Sequence, residues 1–194
     1  MSRYLTVPLT RVIAPLALAA AIVAPTHTSR AQDVLDAKSA AHLRTEYAND
    51  MDTVHVKILA LANAIPAEKY SWRPSAGVRS VSEVLMHCAG EWYYYVPGSI
   101  GMKPPADFGV PKDALPKLEK ITTKAAVIEQ LTKSWAYSKA QLTAADPATL
   151  TGKYKPWGIA LDQAAFSMSG DMHEHLGQLI SYARSVGVKP PWSK

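Results

Sequence analysis

Two separated segments of the sequence carry side chains that can bind a metal ion. The first contains His87, with Glu91 four residues later, and the second contains Asp171 and His175, also four residues apart. Residues four apart on an α-helix lie about 40° apart around its axis, so Asp171 and His175 share a face. Two imidazoles and a carboxylate that converge between helices form a divalent-metal site with open coordination positions. We therefore predict that His87, Asp171 and His175 bind one divalent metal ion.

Glu91 lies one helical turn after His87 and has several roles open to it. Its carboxylate can bind the metal, accept the hydrogen bond that fixes the imidazole tautomer, act as a base, or pair with a nearby basic residue.

The other histidines are weaker candidates. His173 lies about 200° from His175 around the helix and is predicted at the surface, while His55 has no supporting neighbour. A single histidine beside an apolar stripe is more often a hydrogen-bonded core residue, so the prediction depends on the whole set.

Four amphipathic segments predict the helices that position these residues. Apolar residues recur at spacings of three and four in each segment, which is typical of a helix with one buried face. Ser80 and Glu83 match a capping box at the start of the second helix, and Gly187 is a natural C-cap for the fourth. The predicted class is all-α, a four-helix bundle. Its helices span residues 34–64, 80–96, 123–144 and 161–186.

A long connection separates the second and third predicted helices. Residues 97–121 are rich in proline and glycine, and this length is unusual for a connection within a compact domain. A crossover of this kind lets two consecutive helices of a bundle run parallel. We therefore predict an irregular segment that crosses one end of the bundle.

The first 31 residues have the composition of a secretory signal peptide. Arg3 and Arg11 occur there without any acidic residue, residues 12–24 form an apolar run of thirteen, and small residues precede Gln32. That run is too short to span a bilayer comfortably, because about 20 residues are needed. We predict cleavage before Gln32, export to the periplasm or the cell exterior, and one domain over residues 32–194 without stable membrane insertion. The alternative is an uncleaved anchor.

Charge and cysteine content limit the classes of function. The formal net charge is +5, and the predicted signal peptide holds three arginines and no acids, so cleavage leaves +2 (5 − 3). This small charge gives no basis for a nucleic-acid partner. Cys88 is the single cysteine, which excludes a disulfide within the chain. We predict a buried thiol there rather than a metal ligand.

Two segments of the sequence resemble the DinB-like superfamily of four-helix-bundle proteins. Residues 60–87 end in the histidine of the second helix, and residues 171–191 contain a His-x-Gly-Gln pattern that begins at His175. Together with the helix order and the long second connection, the resemblance covers nearly all of residues 32–194. It implies a DinB-like four-helix bundle.

The resemblance also implies a metal site. Members of the superfamily commonly hold a divalent ion with one histidine of the second helix and a His-x-x-x-His of the fourth. His87 and His175 match two of these ligands, but Asp171 stands where another histidine is expected. Because a carboxylate is a harder ligand than imidazole, Zn, Ni, Mn and Fe all remain candidates for the ion.

Two functions of different classes follow from the resemblance. Characterised members include metal-dependent transferases that use small thiols and a maleylpyruvate isomerase. The first hypothesis is an exported metal-dependent transferase or hydrolase that acts on a small molecule, with Glu91 or a loop residue as its base. The second is an exported non-catalytic binding or structural bundle with a vestigial metal site. The expected export argues against cytosolic thiols as partners.

Apolar residues near the start of the fourth helix bear on assembly. Trp157, Ile159 and Phe166 lie outside the predicted apolar stripes. Such residues are commonly buried against a second copy of the chain, and two-fold dimers are the most frequent oligomers. We predict a homodimer, with the alternative that the long connection folds over these residues in a monomer.

Overall fold

The computed structural model describes residues 35–151, 153–154 and 157–193 of the chain. This part of the chain is mostly helical, which confirms the predicted all-α class. Its α-helices are α1 (Ala37–Ala64), α2 (Val81–Tyr93), α3 (Tyr95–Gly98), α4 (Pro111–Leu118), α5 (Lys124–Ala144) and α6 (Leu161–Ser185). Two 3₁₀ helices, Ala67–Lys69 and Pro147–Thr151, lie in the connections.

One small strand pair interrupts the helical architecture before α6. Strand β1 (Lys153–Tyr154) pairs antiparallel with β2 (Ile159–Ala160), and the register joins Lys153 to Ala160. The predicted all-α class contains no strand here, because two-residue strands are too short to show alternation in the sequence. The predicted signal peptide lies outside the described residues. None of the helices within them is both long and apolar enough to cross a membrane.

Local signals in the sequence determine the start of α1, the start of α2 and the end of α6. Asp36 accepts a hydrogen bond from the backbone N–H of Ser39 at the start of α1, at 2.7 Å. The predicted capping box is present: the Ser80 N–H donates to Glu83 Oε2 at 2.6 Å, and the Glu83 N–H donates to Ser80 Oγ at 3.3 Å. After α6, Gly187 has a φ of 81°, which glycine adopts without a Cβ clash. These three boundaries, the starts of α1 and α2 and the end of α6, therefore lie close to the predicted positions.

The segment between α2 and α5 contains two short helices, α3 and α4, where an irregular connection is predicted. Helix α2 stops at Tyr93 because Tyr94 leaves helical geometry, with φ −120° and ψ −59°, and α3 follows immediately. Further on, Pro111 occupies the first turn of α4, where its missing N–H would have no partner within the helix. Proline thus starts this helix rather than excluding it.

The four long helices share one apolar core that brings α2 next to α6. Helix α2 packs on α5 and α6, and α1 also packs on both of them. Burial of each large apolar side chain contributes about 1.5–3 kcal/mol relative to exposure. The fully buried side chains of this core include Met51, Leu85, Trp92, Leu131 and Met172. Polar residues on the facing sides of α2 and α6 are consequently held close together.

Candidate metal centre

Three candidate side chains meet between α2 and α6. Helix α2 presents His87 and Glu91 one turn apart, and α6 presents His175. One nitrogen or oxygen atom from each residue lies within 4.8 Å of the other two. In the described part of the chain, this is the one group of three or more potential metal ligands with such spacing.

The carboxylate of Glu91 lies between the two imidazoles. Its Oε1 atom is 3.1 Å from His87 Nε2 and 3.4 Å from His175 Nε2. The side chain is only 4% exposed, and its Oε2 atom has no hydrogen-bond partner among the described residues. Burial alone would raise the pKa of Glu91, but the hydrogen bonds and charges of the two histidines outweigh it and lower the pKa to about 2. Glu91 is therefore a buried anion with a carboxylate oxygen left to bind a cation.

Both histidines direct their Nε2 atoms toward Glu91 and their Nδ1 atoms toward other acceptors. His87 Nδ1 is 3.2 Å from Glu119 Oε1, and His175 Nδ1 is 3.4 Å from Gln178 Oε1. A metal-binding histidine typically donates its second N–H to such an acceptor. Burial opposes protonation of His175, but the hydrogen bond to Glu91 outweighs it and raises the pKa of this imidazole. The geometry suits metal binding through the two Nε2 atoms.

Asp171 lies at the edge of this group. Its Oδ2 atom is 3.9 Å from His175 Nε2, and its side chain is 43% exposed. Burial and the neighbouring Glu91 carboxylate raise the pKa of Asp171 to about 6. Glu91, for which several roles were open, is the carboxylate that contacts both histidines. The expectation that Asp171 is a ligand stays a prediction.

The remaining candidates from the sequence lie elsewhere in the fold. His173 is 45% exposed, and its Nε2 atom is 2.9 Å from Asp50 Oδ1, so it is the surface histidine expected. His55 is buried and stacked on Trp135, with ring centroids 5.0 Å apart, and burial lowers its pKa to about 4. Cys88 is a buried free thiol whose pKa is raised by burial. None of these three residues belongs to the group around Glu91.

A cavity of about 480 Å³ opens beside the group. The rings of Tyr95 and Trp157 stack beside it, with centroids 6.1 Å apart and planes at 20°. Two members of the group, His87 and Glu91, line this cavity. The described lining consists of His87, Glu91, Tyr95, Trp157, Ser167, Met168 and Asp171. A larger cavity of about 670 Å³ lies beside α4, and its described lining contains none of these residues.

Two residues beside the group, Glu119 and Arg79, were not predicted from the sequence. Glu119 follows α4 and contacts Arg79 as well as the site, with its Oε1 atom 3.1 Å from Arg79 Nε. Nothing in the sequence relates either residue to the histidines. Gln178 did carry a signal, because it follows His175 by three residues. Gln178 Nε2 donates to the Tyr182 hydroxyl at 3.0 Å on the same helix, and that hydroxyl donates to the backbone carbonyl of Arg79, just before α2.

Replacement of Asp171 by asparagine is expected to stabilise the metal-free protein above pH 6. A carboxyl group whose pKa is raised by folding contributes stability at low pH, and this is lost as the pH rises from its ordinary 3.8 to about 6. The shift corresponds to about 3 kcal/mol, and screening of a side chain that is 43% exposed reduces it to about 1 kcal/mol. Urea unfolding with a chelator should show the variant gaining this amount over the wild type between pH 4 and pH 7. A difference independent of pH would contradict the assignment.

The comparisons with known proteins concern the same region of the chain. Residues 50–179 match the family model of the DinB superfamily. The matched range includes α2, α6 as far as Leu179, and every side chain of the group around Glu91. Neither the comparison with curated proteins nor that with solved structures gave a match.

Proposed function

The chain belongs to the DinB superfamily, and on this premise we propose that it is an exported protein that binds one divalent metal ion through His87, Glu91 and His175. We further propose that its four long helices form the DinB-type four-helix bundle, with residues 97–121 as the connection across one end. The packing of α2 and α1 on both α5 and α6 supports this arrangement. The observation that carries the metal proposal is the convergence of three ligand atoms within 4.8 Å.

The interatomic distances agree with a shared ion. Atoms about 2.1 Å from one metal ion lie roughly 3–4 Å from each other. The contacts of Glu91 Oε1 with the two Nε2 atoms, at 3.1 and 3.4 Å, fall within this range. The contact of Asp171 Oδ2 with His175 Nε2, at 3.9 Å, lies at its upper end. We propose that Asp171, at the edge of the group, becomes a fourth and weaker ligand when its half-exposed side chain turns toward the ion. The mixed nitrogen and oxygen set suits Zn, Ni, Mn or Fe.

The proposed activity is that of a metal-dependent transferase or hydrolase on a small molecule. A divalent ion in this group supplies Lewis acidity to a donor atom of the substrate. The chain holds the ion with its buried carboxylate, and the adjoining cavity of about 480 Å³ receives the substrate. The Tyr95 and Ser167 side chains line that cavity and bring hydroxyl groups that can orient a polar substrate.

Metal content is the direct test of this proposal. The protein spanning residues 32–194 should be purified without an affinity tag or chelator, and its metals measured by mass spectrometry. We expect close to one transition-metal ion per chain. Removal of the ion by a chelator should lower the free energy of unfolding, and its return at 1,000 times Kd should restore about 4 kcal/mol. Protein that carries no metal and gains no stability from any of the four ions would contradict the proposal and favour a vestigial site.

Export and assembly are further parts of the proposal. The composition of residues 1–31 supports cleavage before Gln32 and release into the periplasm or the cell exterior. Two aromatic side chains near the start of α6 support a two-fold dimer, since Phe166 is 68% exposed and Trp157 is 36% exposed.

A further inference from the structure

A series of polar contacts leads from the protein surface to His87. Glu119 Oε1 is 3.2 Å from His87 Nδ1 and 3.1 Å from Arg79 Nε. Exposure falls along this series, from 44% for the Arg79 side chain to 23% for Glu119 and 17% for His87. The guanidinium group thus holds an anionic acceptor against the nitrogen of His87 that faces away from Glu91.

The close approach of α4 to α2 places Glu119 at this position. Glu119 directly follows α4, and Gly90 lies on α2 opposite Leu115 of α4. The absent Cβ of Gly90 leaves room for Leu115 Cδ2, so a side chain of α4 packs directly on the backbone of α2 at this point. The helix in the long connection therefore positions an acceptor for a residue of the neighbouring helix.

A second series of contacts begins at His175 and reaches the same residue, Arg79. Gln178 Oε1 faces His175 Nδ1 at 3.4 Å, and Gln178 Nε2 donates to the Tyr182 hydroxyl at 3.0 Å. That hydroxyl donates to the backbone carbonyl of Arg79 at 3.1 Å. The segment just before α2 thus supports the outer contacts of both histidines, through a side chain in one case and the main chain in the other.

We propose that Glu119, held in place by Arg79, is the positioning residue of the metal site. It accepts the Nδ1–H of His87 and thereby keeps the lone pair of Nε2 directed at the ion. In a neutral imidazole one nitrogen carries the proton, and an anionic acceptor at Nδ1 favours the tautomer whose Nε2 can bind metal. The inference rests on the proposed metal binding, and it adds a role for a residue that does not touch the ion.

The test compares Glu119→Gln with a matched control, Glu129→Gln. The control makes the same change at an exposed residue of α5 that pairs with Lys133. For Glu119→Gln we expect a 10- to 100-fold loss of Zn affinity in a chelator competition, which is the usual effect of losing such a partner. Nitrogen NMR of the imidazole in the metal-free protein should show a smaller fraction of the Nδ1–H tautomer at His87. Glu129→Gln should change neither quantity.

A second variant and two outcomes complete the test. Arg79→Met keeps the apolar stem but removes the donor to Glu119, so it should weaken Zn binding in the same direction and by less. Unchanged Zn affinity and an unchanged tautomer in Glu119→Gln would overturn the inference while leaving metal binding intact. If the wild type binds none of Zn, Ni, Mn and Fe, the proposed function fails instead, and the tautomer measurement still decides whether Glu119 positions His87.

Discussion

Replacement of His175 by alanine is expected to abolish metal retention while the helical fold remains. The imidazole is one of two nitrogen ligands in the proposed site, so its loss should exceed the 10- to 100-fold effect of losing an outer partner. Its side chain is 16% exposed rather than fully buried. Its removal should therefore lower the free energy of unfolding only by the packing that it contributes to α6. Metal content per chain and far-ultraviolet circular dichroism measure the two quantities.

His173→Ala is the matched control for this experiment. It removes the same side chain from the same helix, but its imidazole contacts Asp50 and lies outside the group around Glu91. The control should keep a full complement of metal. If His175→Ala also kept one ion per chain, the ion would have to bind elsewhere in the protein.

Replacement of Glu91 by glutamine is expected to weaken metal binding far more than replacement of Asp171 by asparagine. Both changes convert a carboxylate to an amide of nearly the same shape. Glu91 contacts both Nε2 atoms and is 4% exposed, whereas Asp171 contacts one of them and is 43% exposed. Loss of the buried charge should lower affinity more than about 100-fold, because Glu91 is the one carboxylate among the described residues that contacts both imidazoles. We expect a loss of about tenfold or less for Asp171→Asn.

Isothermal titration of the metal-free variants with Zn and with Mn provides the comparison. Circular dichroism should confirm that each variant keeps its helices. The opposite order, with Asp171→Asn the more damaging change, would make Asp171 the principal carboxylate ligand. The spacing of residues along α6 would then be a better guide to the site than the contacts of α2.

The parts of the fold that were predictable depend on short-range signals. Ser80 and Glu83 define the start of α2 through their own hydrogen bonds, and Gly187 ends α6 through its φ angle. Helix α4 could not be predicted in this way. It is short and contains Pro116, and it lies against Gly90 of α2, which is distant in the sequence.

The site could be predicted as two helix faces but not as a set of contacts. Four-residue spacing places His87 with Glu91, and Asp171 with His175, on common faces. Which carboxylate lies between the imidazoles depends on how α2 and α6 are rotated against each other, and spacing within one helix does not contain that information. Glu119 is further removed, because it follows α4 in the long connection and its contact with His87 depends on how α4 packs against α2.

The positions of His87, Glu91 and His175 on α2 and α6 have a consequence for how the protein folds. His87 and Glu91 are synthesised well before His175, and the intervening chain includes all of α5. Bringing such distant segments together carries a loop-closure entropy that must be overcome before their contacts form. The complete set of proposed ligands therefore exists only after α6 has docked. An ion bound there would resist unfolding of the finished protein rather than guide its first steps, and its release would report that α6 has detached.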